Sequence, residues 1–186
     1  MLDGLRHYAC LERLRDGLEI TIRAAHPDDG PRIRQAFSLL DTRTRYMRFL
    51  AQKEKLSDQE INRLTEADFE NAIILLATIG EAENEVVIGG ASCYLINPGA
   101  AQRDAEVAFT VEQHFQHRGV GAALMRHLTR IALTKGLHAF QAEVLCNNAS
   151  MLNVFRRSGL PMTARQEGSV VHVTLALDET RLARSA

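Results

Sequence analysis

The stretch that decides the fold is Gln116-His117-Arg118-Gly119-Val120-Gly121. Ahead of it runs Ala105-Glu106-Val107-Ala108-Phe109-Thr110-Val111, β-branched, aromatic and extended in character. Behind it Val120, Leu124, Leu128 and Ile131 recur at helical spacing, with Arg126, His127, Arg130 and Lys135 elsewhere on the cylinder. A strand, a glycine-bearing turn and a helix start together make a site for an anion. The first turn of a helix has backbone N–H groups without partners and carries the positive end of the dipole. Glycine lets a phosphate come close to those groups.

Two glycines two apart are a weak signal taken alone. Their surroundings narrow the reading. Arg118 places a fixed positive charge inside the turn. No Gly-Lys-Ser/Thr ending follows, which argues against a nucleoside triphosphatase loop. Leu124 stands where a dinucleotide-binding turn needs its third glycine. The chain then continues through Gly136-Leu137, a strand-like run from Ala139 to Leu145, and Asn147-Asn148.

The segment from Glu106 to Leu160 resembles the core of the GNAT superfamily of N-acetyltransferases. That family's acetyl-CoA motif is Gln/Arg-x-x-Gly-x-Gly/Ala, and Gln116, Arg118, Gly119, Gly121 and Ala122 fit it. Asn148 matches the Asn that opens the helix after the fifth family strand, and Gly159-Leu160 approximates the Gly-Phe pair that closes it. Further positions are similar to the GNAT domain of bacterial protein lysine acetyltransferases. They include Asp16-Gly17, Ile22-Arg23, Asp28, Ser38, Arg45-Tyr46, Arg48-Phe49, Val144-Leu145 and Met151.

The resemblance implies an α/β (α+β) fold, with a mixed central sheet of six to seven strands flanked by helices and splayed between the fourth and fifth strands. It implies acetyl-CoA as cosubstrate and a primary amine, a protein lysine among the options, as acceptor. It further implies that Phe109, Thr110 and Val111 offer main-chain contacts to the pantetheine arm. Gln116, His117, Arg118, Gly119, Val120, Gly121 and Ala122 would hold the pyrophosphate, and Asn148 would bond to the cofactor arm.

The chemistry needs a neutral amine, although an alkyl ammonium has a pKa of about 10.4, so a base must accept a proton. Glu106 is the candidate base by resemblance, and period-two alternation puts it on one face with Ala108 and Thr110. Glu143 is the reserve, more readily read as a structural partner. The family often places a proton-donating Tyr seven residues after the Asn, where this chain has Phe155. The leaving thiolate therefore departs unassisted or draws its proton from a water or another side chain. Tyr94 is one option, with no support from spacing. Two alternatives stay open: a small amine or amino acid as acceptor, and a coenzyme-binding sensor module that does not turn over.

The 186 residues suit one domain over 1–186, with 1–17 as an N-terminal extension. A formal net charge of -1 gives no general pull toward nucleic acid or an anionic membrane. The 3 cysteines, Cys10, Cys93 and Cys146, show no disulfide or metal spacing, and no metal is expected. No signal-peptide core or transmembrane-length run is visible, so a cytoplasmic protein is expected. Oligomeric state is open.

The expected elements are a short helix through Cys10 to Leu14, a strand Leu18 to Arg23, and a helix from Pro27 to about Leu40. Another helix follows over Thr42 to Leu50. Ser57-Asp58-Gln59-Glu60 is a capping-box pattern opening a helix to about Thr65. Strands follow at 72–79 and 86–96, with Gly89-Gly90 marking a bulge or a close backbone approach. Asn97-Pro98-Gly99 reads as a turn, and a hairpin turns at Glu167-Gly168-Ser169. The basic run Arg43, Arg45, Arg48 reads as a solvated helix face or as a patch for an acidic protein surface. His114 and His117 read as solvated loop histidines.

Overall fold

The computed structural model describes residues 2–97, 99 and 103–177. After a short helix α1 (Leu2–Arg6) come strands β1 (Ala9–Arg13) and β2 (Glu19–Ala24). Three helices follow: α2 (Gly30–Leu39), α3 (Thr42–Phe49) and α4 (Asp58–Thr65). Strands β3 (Ala72–Ile79), β4 (Val86–Leu95) and β5 (Asp104–Val111) lead to helix α5 (Val120–Thr134). Strand β6 (Ala139–Leu145), helix α6 (Ala149–Arg156) and the hairpin β7 (Met162–Glu167) and β8 (Val170–Ala176) complete the chain. No described helix is long and apolar enough to cross a membrane.

The strands form one sheet in the order β1-β2-β3-β4-β5-β6-β8-β7. Every neighbouring pair is antiparallel except β5 and β6, which are parallel. A parallel pair needs a crossover, and α5 supplies it. Strand β3 reads Ala-Ile-Ile-Leu-Leu-Ala-Thr-Ile and is buried along nearly its whole length. A strand covered on both faces is expected to be a continuous apolar run.

The sheet has eight strands rather than six to seven, because the N-terminal segment adds an edge strand. Cys10 to Leu14 was expected to be helical, yet Ala9–Arg13 pairs with β2 from Ala9↔Arg23 to Arg13↔Glu19. Tyr8, Cys10 and Glu12 thereby share one face, turned toward α5. Tyr8 Oη is hydrogen-bonded to His127 Nδ1, and His127 Nε2 lies 2.7 Å from Glu12 Oε1. Arg126 donates to the other Glu12 oxygen at 2.7 Å. These contacts fasten β1 to the helix behind the glycine turn.

The splay lies between β5 and β6, the fifth and sixth strands once β1 is counted. Their pairing covers only Asp104↔Ala139, Ala105↔Phe140 and Glu106↔Gln141, although the strands run on to Val111 and Leu145. The opening between Val107–Val111 and the far half of β6 is where a ligand can meet backbone amides.

Near Gly89 both expected features are present. The β3–β4 register skips Ile88 between Thr78↔Val87 and Ala77↔Gly89. A Cβ on Gly89 would stand 2.9 Å from the Thr110 carbonyl oxygen. The Ser57 capping box is also formed, with Ser57 N–H donating to Glu60 Oε2 at 2.9 Å and Glu60 N–H to Ser57 Oγ at 3.3 Å. In the Asn97-Pro98-Gly99 turn, Pro98 lies outside the described residues.

Candidate active site

Gly119 is the N-cap of α5 and adopts φ 105°, the left-handed region that a side chain would strain. His117 shares that region at φ 61°. The first bond of the helix runs from Ala123 N–H to the Gly119 carbonyl at 2.9 Å. The amides of Val120, Gly121 and Ala122 therefore have no partner within the helix, and no side chain caps them. Val120 turns its side chain into the core. At Gly121 a Cβ would stand 3.5 Å from Val154, which brings α6 close to the turn.

These amides border a groove of about 610 Å³. Its walls bring together Phe109, Thr110, Val111, Gln116, His117, Gly119, Gly121, Ala122 and Asn148 from the residues expected by sequence. Thr44 and Met47 from α3 and Asn147, Met151 and Arg157 around α6 join them. No local pattern marks these additions, because they arrive from separate elements. Gln116 spends its side chain on structure, donating to the Val111 carbonyl at 3.0 Å and to Thr44 Oγ1 at 3.2 Å. Asn148 caps α6 by accepting from Met151 N–H at 3.1 Å.

Arg118 behaves differently. Its Nε donates to Asp16 Oδ2 at 2.5 Å, and its guanidinium lies over the Phe115 ring. The bond to Arg118 leads the causes that hold the Asp16 carboxyl below its ordinary range. The arginine thus ties the glycine turn to the β1–β2 turn, and it does not line the groove.

A second cavity of about 390 Å³ lies under α2, α3 and α4 against the sheet. Phe37, Leu40, Phe49, Leu56 and Leu64 give it an apolar wall, and Glu106, Ala108 and Thr110 form part of its floor. The two spaces share Arg48 and Thr110. Glu106 is exposed, stands opposite Tyr94 on β4, and has no ion pair or side-chain hydrogen bond among the described residues. Other cavity carboxylates are engaged: Glu60 with Lys53 at 2.7 Å, and Glu112 with His114 at 2.6 Å. His114 is solvated as expected, its side chain 80% exposed, and it also pairs with Glu112. Glu143 lines neither space and lies 3.5 Å from His172, its cross-strand neighbour.

Of the basic run, Arg43 and Arg48 line the groove, and Arg48 also reaches the second cavity. Arg48 is half-buried, stacks on Phe49 at 4.9 Å and donates weakly to Ser92 Oγ at 3.4 Å. Burial pulls its pKa below the ordinary value, while Tyr94, Glu106 and Glu60 push it back up. Arg45 instead lies over Phe37 and donates to the Glu54 carbonyl. Phe155 is 1% exposed and packs edge-on against Phe109 at 5.9 Å, on the opposite face of β5 from Glu106.

Cys93 is buried, which pushes its thiol up to about 12 and leaves it protonated and inert. Cys10, Glu12 and His127 bring ligand-type atoms within 4.8 Å of one another. Glu12 is already shared by Arg126 and His127, and both ring nitrogens of His127 are hydrogen-bonded.

Residues 37–160 match the model of the Acetyltransferase (GNAT) family. The chain is similar to Acetyltransferase PA5475 of Pseudomonas aeruginosa, at 29% identity over 141 residues, covering 76% of this chain and 74% of that one. It is also 29% identical over 159 residues to Acetyltransferase Pat of Mycolicibacterium smegmatis, covering 86% of this chain but 46% of that longer protein. Among solved structures, the GNAT domain of S. lividans PAT superposes with a TM-score of 0.83 at 31% identity, covering 91% of this chain and 97% of that one. Enzymes of this fold take their acetyl group from acetyl-CoA. With an open helix start beside a torn sheet, and a family match spanning both, the chain belongs to the GNAT family of acetyltransferases.

Proposed function

We propose that the chain moves the acetyl group of acetyl-CoA to the side-chain amine of a protein lysine by direct attack, with Glu106 as the base. The observation that carries the reading is the meeting of two spaces at Arg48 and Thr110. One is edged by unpaired amides at a helix start, and the other by an unpaired carboxylate.

The pyrophosphate rests on the turn formed by Gln116, His117, Arg118, Gly119, Val120, Gly121 and Ala122, where amides rather than side chains supply the grip. The pantetheine follows Phe109 to Val111 in the splay, and Asn148 bonds to the arm from the other side. Backbone amides near the splay stabilise the oxyanion formed at the thioester carbonyl. The lysine stem lies along the apolar wall of Phe37, Leu40 and Phe49, and its nitrogen reaches Glu106. Support for a protein acceptor comes from similarity to Acetyltransferase Pat and to the GNAT domain of S. lividans PAT.

A small amine is the second reading. It is favoured by the modest size of the space beneath α2, α3 and α4, about 390 Å³, which suits a small molecule. Incubation with labelled acetyl-CoA and a lysate, beside a panel of small amines, separates the two by where the label goes. Glu106→Gln is expected to lower kcat by about 10²–10⁴-fold while calorimetry finds coenzyme binding intact. A variant with wild-type kcat would remove Glu106 from the mechanism.

A further inference from the structure

Phe155 leaves the departing sulfur without the proton donor that a tyrosine there would provide, and the fold supplies a phenol elsewhere. Tyr94 stands directly opposite Glu106 in the β4–β5 register, so their Cβ atoms are about 5 Å apart. Both side chains belong to the floor of the acceptor cavity. Two residues along β4, Ser92 faces Ala108, the residue before the Phe109–Val111 run that the pantetheine follows in the proposed function. That step is about 7 Å of strand, within the span of a tyrosine side chain. Tyr94 is half-buried, and its hydroxyl has no hydrogen-bond partner among the described residues.

We propose that Tyr94 is the proton donor to the leaving thiolate and that Glu106 restores its proton. The inference rests on the acetyl-transfer reading given above. The amine nitrogen attacks the carbonyl carbon, forming the C–N bond, and Glu106 takes one proton from that nitrogen. The C–S bond breaks, its electron pair stays on sulfur, and Tyr94 Oη gives that sulfur a proton. Protonated Glu106 then passes its proton across the strand pair to the tyrosinate. Amine and acetyl-CoA become amide and free thiol, and both side chains return to their starting states.

Two guanidinium groups near the ring offset part of the cost of a short-lived tyrosinate. From α4 the Arg63 guanidinium lies over the ring at 5.8 Å, with Glu60 on the same cavity wall. From α3 comes Arg48, from β5 Glu106, and from its own strand Cys93. Burial holds the phenol above its ordinary pKa, Arg63 and Arg48 oppose that shift, and Cys93 and Glu106 add to it. The group therefore keeps its proton through the neutral range and has it to give.

Tyr94→Phe keeps the ring, the Arg63 contact and the packing, and removes only the donor. With both substrates saturating, its kcat is expected to fall about 100-fold, with coenzyme affinity by calorimetry unchanged within about twofold. In the wild type kcat is expected to fall at alkaline pH, where the phenol ionises, and that descent is expected to be missing in the variant. A wild-type kcat in Tyr94→Phe overturns the proposal. So does a lowered kcat with the alkaline descent still present, because that would make Tyr94 a wall of the cavity. Glu106→Gln run in parallel keeps the two ideas apart: its full activity would refute the base, while the phenylalanine variant still reports on the donor.

Discussion

The two spaces that meet at Arg48 are built in opposite ways. The groove proposed for the coenzyme is made chiefly from backbone: the helix start at Gly119, the unpaired length of β5, and a capping Asn. The cavity proposed for the acceptor is made from side chains carried by three helices and three strands, from Ile33 to Glu112. A backbone site tolerates exchange of side chains but not a change of backbone shape. A side-chain site responds the other way.

The severest challenge to this contrast is Gly119→Val. A branched residue at φ 105° carries about 1–3 kcal/mol of strain, and relief of that strain moves the amides. Coenzyme affinity is expected to drop about 10- to 100-fold, read by calorimetry, while acceptor preference measured at saturating coenzyme stays the same. Unchanged affinity would mean that the amides at the helix start are not the grip.

On the acceptor side, Glu60 sharpens the comparison through pH. Its pKa is lowered from 4.5 to about 2, first by Lys53 and then by the Ser57 backbone. Because the folded value lies below the unfolded one, its stabilisation is fully present above about 4.5 and is lost as pH falls toward about 2. Glu60→Gln should cost about 1 kcal/mol or less at neutral pH, and the gap from wild type should close between those pH values in urea titrations. A gap that persists at pH 2 would place the effect in packing rather than charge.

The smallest effect is expected from Arg118→Ala. The guanidinium is held by Asp16, and exposed pairs contribute little. Coenzyme affinity should change by less than about threefold, against the tenfold or more at its neighbour Gly119. A larger loss would show that the arginine leaves Asp16 for the phosphates.

The same contrast explains what could be read from the chain. The groove was legible because its parts are consecutive: strand, turn and helix occupy one run of residues from 105 onward. The bounds of β3 and β6, the Ser57 capping box and the hairpin at Gly168 were legible for the same reason. Tyr94 could be named from the chain only as an option without support from spacing, because its tie to Glu106 is a register across two strands. The partner of Arg118 was hidden for a like reason, lying 102 residues away. Strand β1 was misread because Leu11 points outward at 68% exposure. With Cys10 and Leu14 it imitates a helical period over a short edge strand.

Among the described residues, three residue pairs at one end and the adjoining bond from His138 N–H to the Arg103 carbonyl join the five-stranded and three-stranded halves of the sheet. Such a joint is a crease, and the width of its mouth depends on what is wedged there. A pantetheine between the halves would act as a spacer with its own amide groups, bridging two panels that otherwise meet only at the fold line. Loading the coenzyme should therefore stiffen the whole molecule and slow amide exchange on both β5 and β6.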